Sequence, residues 1–264
     1  MENSVEVLLR KYYSQDYNED SRLTKDRAHQ IEFITTTKYI EKYLKKGDKI
    51  LEIGAGTGAY SIYYAKQGYE VDSVDLIEEN LNILKTKIKE NMKIRTQKAN
   101  AVDLGIYEDN TFDITLCLGP LYHLFSEKDR KKAIAEAIRV TKPEGIVYFA
   151  YIANDAVILS YGLRKGHILD LKRICDENYK IKDIPEEIFA ANYVEEFEEV
   201  MKDFPVQKLH QVGADGISGN VAEYINHLSE EEYQIWLDYH LHTCERKDLI
   251  GYSSHILYIA KKNK

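Results

Sequence analysis

The stretch Lys49-Ile-Leu-Glu-Ile-Gly-Ala-Gly-Thr-Gly-Ala-Tyr-Ser-Ile62 decides the fold of this chain. Ile50, Leu51 and Ile53 form a short apolar run around one acid, Glu52, which then breaks into Gly54, Gly56 and Gly58. Residues without a Cβ at these points let the backbone turn sharply and let a ligand come close. A helix-like run from Tyr60 to Gln67 follows, so the loop opens onto a helix start whose first amides lack partners. About twenty residues past the first glycine, Glu70-Val-Asp-Ser-Val-Asp-Leu76 reads as a second strand carrying Asp75. A doubly wound fold places there the carboxylate that holds ribose hydroxyls. Strand, glycine loop, helix, second strand and acid in one unit predict an adenosine-containing cofactor.

The loop Gly54 to Ala59 reads G-x-G-x-x-A, a spacing that a dinucleotide site also permits. Glu52 points away from NAD, because a carboxylate there repels a pyrophosphate and suits a cationic amino-acid ligand. The segments downstream decide between the two. Val74-Asp75, Asn100-Ala101, Phe112-Asp113 with Gly119-Pro-Leu-Tyr-His-Leu124, and Arg139-Val-Thr-Lys-Pro-Glu-Gly145 follow the glycine loop in order. Over about residues 48–152 this series resembles the class I S-adenosylmethionine-dependent methyltransferases, in particular the small-molecule group with a GPLYHL segment after strand four. The resemblance implies S-adenosylmethionine as cofactor and a small-molecule methyl acceptor, methylated on O or N. It implies that Gly54, Gly56 and Gly58 line the methionine end, with Glu52 beside them. Asp75 and Leu76 would meet the ribose, Asn100 and Ala101 would flank the adenine, and Leu118 would lie under the cofactor. Asn100 stands where the family usually has Asp, so a simple turn there, or a role for Asp103 instead, is the alternative.

Composition narrows the acceptor. A net charge of −8 predicts no broad cationic face and so argues against nucleic acid as partner. Three separated cysteines, Cys117, Cys175 and Cys244, fit a reducing cytoplasm better than a disulfide framework. The start Met-Glu-Asn-Ser-Val-Glu lacks a basic, apolar leader, and no apolar run approaches the roughly 20 residues of a membrane span. A cytoplasmic protein without a membrane partner is expected.

Strands alternating with helices predict an α/β fold: a doubly wound, mostly parallel, seven-stranded Rossmann-like sheet with helices on both faces. One domain should fill residues 1–264. It comprises an N-terminal helical lid (1–46), a cofactor-binding core (47–152), a substrate-cap insertion (153–193) and the C-terminal part of the sheet (194–264). Helices are expected over 4–14, Arg27 to Leu44, Glu78 to Glu90, Val194 to Met201 and Val221 to His242. By resemblance, the last strand, Tyr252 to Ala260, runs antiparallel and the N-terminal segment folds over the ligands, with Tyr13, Tyr17 and Arg22 as its candidates.

Methyl transfer from a sulfonium asks the protein mainly for positioning and exclusion of water. His123, with Tyr122 beside it after strand four, is the candidate base for an acceptor proton. His210 or His255 could also reach the acceptor. His240, His242 and Cys244 lack a usual closed zinc spacing, so no metal is expected. Two other readings keep the same loop: an NAD-linked oxidoreductase, with Tyr-x-x-x-Lys at Tyr161 to Lys165 and Tyr258 to Lys262, and a non-catalytic cofactor-binding regulatory protein.

Overall fold

The computed structural model describes residues 4–13, 19–187 and 189–264. Strands β1 (Lys49–Ile53), β2 (Glu70–Asp75), β3 (Lys93–Lys98), β4 (Phe112–Cys117) and β5 (Thr141–Ala153) run parallel. The final strand, β8 (His255–Lys262), lies antiparallel between β5 and β7 (Val206–Gly213). The order is β3-β2-β1-β4-β5-β8-β7, and a two-residue strand, β6 (Ala191–Asn192), pairs with the end of β5. The sheet therefore has eight strands rather than seven, the extra one being the return of the cap insertion onto the sheet. The chain leaves β1 toward β2 on one side and comes back to β4 on the other. That reversal opens a crevice beyond the C-terminal ends of β1 and β4.

Alternation along β1 explains the two layers. Ile50 packs on one face with Tyr64, Val71, Leu81 and Leu84, under helices α2 (Arg27–Glu41), α3 (Ala59–Lys66) and α4 (Glu78–Lys87). Leu51 and Ile53 pack on the other with Ala133, Ile134, Ala137 and Ile138 of α5 (Glu127–Val140). Each fully buried branched side chain of this kind contributes about 1.5–3 kcal/mol relative to exposure, which makes the register of β1 hard to shift. Ser126 accepts from Asp129 N at 3.0 Å and so starts α5 where its sequence predicts.

Several boundaries differ from the expectation. The N-terminal helix α1 spans Ser4–Lys11, and α2 stops at Glu41, ahead of the turn in which Gly47 takes a φ of +90°. The stretch 221–242 is not one helix. Ser229 and Glu232 form a capping box that starts α10 (Glu230–Thr243) afresh, after a single turn, α9 (Ala222–Ile225). Strand β5 begins directly after α5, and Glu144 sits at φ +63°, a conformation glycine adopts without strain. The cap insertion holds α6 (Asn154–Val157), a π-helical segment (Ile158–Arg164) and α7 (Leu171–Ile174) around a small core of Leu171, Ile174, Cys175, Ile181 and Ala191. Helix α8 (Val194–Met201) then covers Tyr151 with Phe197, whose rings stack at 4.3 Å. Among the described residues, no helix is long and apolar enough to cross a membrane.

Candidate functional site

The glycine loop is tied down by its neighbour strand. Gly54 N and Ala55 N both donate to Val74 O, at 2.8 and 3.0 Å, so the end of β1 is fastened to the end of β2. Gly54, Gly56 and Gly58 all have positive φ, at +72°, +53° and +84°. A Cβ at Gly54 would stand 2.7 Å from the ring of Pro120, which brings the segment after β4 onto the loop. Gly58 ends the loop as the cap of α3 without a side-chain bond, and because Glu52 takes Ser61 N, the capacity for a ligand in the first turn lies with the amides of Ala59 and Tyr60.

Asp75, the last residue of β2, is 7% exposed. Its Oδ2 accepts from Gly56 N at 2.7 Å and its Oδ1 from Ile77 N at 2.8 Å. Burial pushes its carboxyl up to about 6, against the pull of those two amides. Glu52 is buried on the adjacent strand, and its Oε2 accepts from Ser61 N at 2.9 Å and from the Ser61 hydroxyl, which fixes the acid against α3. Burial raises its carboxyl from 4.5 to about 8, with the charges of Asp75 and Glu19 adding to the effect.

That shift has a consequence for stability. A carboxyl whose folded pKa lies above its unfolded value stabilises fully below the unfolded value and loses that contribution as pH rises through the folded one. The window here runs from 4.5 to about 8. The ligand-free protein is therefore expected to lose on the order of a few kcal/mol between about pH 5 and about pH 9, and Glu52→Gln to flatten the decline. Thermal melts across pH check this. A wild-type-to-variant difference that does not change with pH would refute it.

Beyond the loop, the segment Gly119 to Leu124 turns through a 3-10 element at Pro120–His123. Tyr122 donates its hydroxyl to Leu118 O at 3.2 Å, and its carbonyl accepts from Ala190 N at 2.7 Å, so the end of the cap insertion is laid against it. His123 is buried, and its Nε2 pairs with the Tyr13 hydroxyl at 2.8 Å. Burial and neighbouring phenols push the Tyr13 hydroxyl far above its ordinary range, so it stays neutral. Phe189 closes the group, its ring 5.2 Å from His123 and 5.7 Å from Tyr12. The result is an aromatic-walled recess built from the N-terminal segment, the turn after β4 and the cap. The turn at Glu19–Ser21 is also clamped to the loop: Lys87 donates to Thr57 O at 2.8 Å and pairs with Asp20.

One cavity is lined by Glu52, Gly54, Gly56, Asp75, Leu76, Asn100, Ala101, Leu118, Tyr122 and His123, together with Tyr13 and Arg22. The anticipated residues thus gather, with differences in detail. Gly58 shapes the loop without lining this cavity. Asn100 uses its carboxamide oxygen on Val102 N at 3.1 Å, so it does make the turn. Asp103 is exposed, caps Gly105 N at 3.1 Å and does not line the cavity. Tyr17 lies outside the described residues. His210 does not reach the cavity; Tyr43 and Glu245 hold it at 2.7 and 2.9 Å near the end of α2. His255 comes close, its ring 6.2 Å from Tyr122. The two Tyr-x-x-x-Lys matches lie elsewhere: Tyr161 bonds Asp170 within the cap, and Tyr258 stands in β8. His240 is buried against Thr35, whereas His242 is exposed, so those two do not converge.

Among the described residues, Glu32, Asp215 and His255 bring three potential ligand atoms within 4.8 Å of one another. The Arg22 guanidinium already occupies Glu32 Oε2 at 2.6 Å, and Ser253 Oγ and His255 N occupy Asp215 Oδ1 at 2.6 and 3.1 Å. The group is therefore an ion-pair network. Glu19, Glu32 and Phe189 carried no local signal in the sequence, because each reaches the site only through packing between distant segments.

The family model described as "Methyltransferase domain" matches residues 51–149. A glycine/sarcosine N-methyltransferase from Aphanothece halophytica is 25% identical over 250 residues, 80% of this chain and 91% of that protein. The crystal structure of a SAM-dependent methyltransferase from Methanosarcina mazei superposes with a TM-score of 0.57 at 20% identity, covering 85% of this chain and 97% of that one. A Thermotoga maritima structure titled as a SAM-dependent methyltransferase, possible histamine N-methyltransferase, gives a TM-score of 0.59 at 15% identity, covering 97% and 99%.

Proposed function

From the premise that this chain is a class I S-adenosylmethionine-dependent methyltransferase, we propose that it methylates a nitrogen or oxygen atom of a small metabolite. The observation that carries the reading is the aromatic group beside the glycine loop, where the Tyr13 hydroxyl meets His123 Nε2 at 2.8 Å. Its rings come from three separate segments: Tyr12 and Tyr13, the turn after β4, and Phe189 of the cap. The Aphanothece relative, whose name gives glycine and sarcosine as its substrates, supports a small acceptor.

The residues present fit the cofactor. Backbone at Gly54 and Gly56 leaves a cradle free of Cβ atoms, and Asp75, held by two amides, keeps lone pairs for ribose hydroxyls. Bound there, S-adenosylmethionine supplies an activated methyl group, and the chain supplies orientation and a dry enclosure. Pro120 sets the turn that places His123 beside the acceptor. An acceptor N–H or O–H takes up the hydrogen-bonding position of the Tyr13 hydroxyl on His123 and passes its proton directly to the imidazole. Tyr122 holds Leu118 and the cap in place.

Methyl transfer from labelled S-adenosylmethionine to a panel of small amines, amino acids, phenols and carboxylic acids tests this. His123→Asn is expected to lower kcat about tenfold to a hundredfold on the acceptor that works, with cofactor affinity held. Transfer to RNA or protein alone would reject the small-metabolite reading.

A further inference from the structure

The cap carries seven consecutive exposed residues, Leu163-Arg-Lys-Gly-His-Ile-Leu169, where its π-helical segment turns toward α7. Three of them are large aliphatics turned to solvent: Leu163 is 65%, Ile168 51% and Leu169 72% exposed. The other side chains are Arg164, Lys165 and His167, so no acid interrupts the run. We propose that this loop docks the protein on an anionic lipid bilayer, its aliphatic side chains entering the interfacial layer and its cations meeting the headgroups. The surface lies outside the cofactor cavity, and the proposal stands whatever the methyl acceptor is.

Three observations carry it. The first is that the aliphatic side chains are held outward. The inner side of the cap is already filled by Leu171, Ile174, Cys175, Ile181 and Ala191. A Cβ on Gly162 would lie 3.1 Å from Leu171 Cδ1, so the loop sits close on that core. Tyr161 stacks on His167 at 4.6 Å and donates its hydroxyl to Asp170 Oδ2 at 2.9 Å, which braces the loop across its base.

The second is charge. The whole chain carries −8, yet residues 158–173 hold Arg164, Lys165, Lys172 and Arg173 against one acid, Asp170. Tyr161 and His167 engage Asp170, and Glu187 pairs with Arg173. Arg164, Lys165 and Lys172 are exposed, and among the described residues no acid pairs with them. The next acids along the chain, Asp176 and Glu177, follow α7, and Asp176 is occupied by the amides of Asn178 and Lys180. An anionic surface therefore attracts this loop and repels the rest of the molecule, which turns the cap toward the lipid.

The third is that the two kinds of side chain coincide. Single exposed aliphatics are ordinary, whereas three beside unpaired cations make the composition that enters a lipid interface. Lysine and arginine stems extend past the aliphatics there and keep their charges among the headgroups. Another exposed apolar group, Ile217, Tyr239 and Tyr252 around one pocket, adjoins α10, which opens with Glu230, Glu231 and Glu232 and suits no anionic surface. Attachment of this kind needs no spanning run. It departs from the expectation of no membrane partner, which rested on the leader and on spanning runs alone.

Flotation of the full chain with vesicles tests the proposal. The vesicles are phosphatidylcholine alone, or phosphatidylcholine with about 30% phosphatidylglycerol. Wild type should partition about tenfold more strongly onto the anionic vesicles, and about 0.5 M salt should remove most of that preference. Leu163→Ser with Leu169→Ser should lower partitioning onto them about tenfold or more, and Arg164→Gln with Lys165→Gln should abolish the preference for anionic lipid. All four positions are exposed, so both double variants should keep the wild-type melting curve. No binding of wild type to anionic vesicles would overturn the proposal, as would equal binding by wild type and the double leucine variant. A wild-type dimer in lipid-free solution that the leucine changes dissociate would also overturn it, because a second copy of the chain would then cover the loop.

Discussion

Asp75→Ala is expected to weaken S-adenosylmethionine binding about 100-fold while leaving the fold intact. Both oxygens of this carboxylate accept backbone amides, from Gly56 at 2.7 Å and Ile77 at 2.8 Å, and so hold the glycine loop and the loop after β2. Removal would release both loops together and, on the proposed reading, take away the ribose acceptor. Stability should change little, because burial penalises this group in the free protein, as its rise to about 6 indicates. Losing that penalty offsets the lost amide bonds. Asp75→Asn keeps one acceptor oxygen but turns an amino group toward an amide donor, so an intermediate loss is expected. Calorimetry on the three proteins, with melting curves beside it, separates the effects. Wild-type affinity in Asp75→Ala would remove Asp75 from the cofactor site.

Gly54→Ala should fail in a different way, losing about 3 kcal/mol of stability along with cofactor binding. The new Cβ would stand 2.7 Å from Cδ and 2.8 Å from Cγ of Pro120, at a φ of +72°. A pyrrolidine ring cannot rotate out of the way as a flexible side chain can. Pro120 must shift, and with it the turn that carries Tyr122 and His123. The neighbouring change, Gly56→Ala, is the control. Its Cβ meets only Glu19 Cγ at 3.4 Å, an ordinary contact, so the cost there is mainly the positive φ. Urea unfolding of both variants should therefore rank Gly54→Ala well below Gly56→Ala. Equal stabilities would mean that the loop and the turn after β4 are not packed as described.

The contact between Gly54 and Pro120 marks the division between what could be read along the chain and what could not. The sequence by itself determined the unit from Lys49 to Asp75, the alternation of strands with helices and the cofactor. These signals are local: side-chain period, glycine placement and an acid at the end of a strand all lie within a few tens of residues and follow from backbone sterics. Local reading failed where two local signals competed. The stretch 221–242 has helical spacing, yet Ser229 and Glu232 cap a new helix inside it. Asn100 stands where the resemblance implies an adenine contact, yet its side chain makes its own turn.

Only the tertiary structure decided the aromatic group around His123 and the charge network. Tyr13 meets His123 across 110 residues, and Phe189 arrives from the cap. Arg22, Glu32, Asp215 and His255 come together from the turn before α2, α2, the loop after β7 and β8. None of these residues stands in a spacing that announces its partner. Their meeting depends on the order in which the strands assemble and on how the covering segments pack, and that energy is shared among many distant contacts.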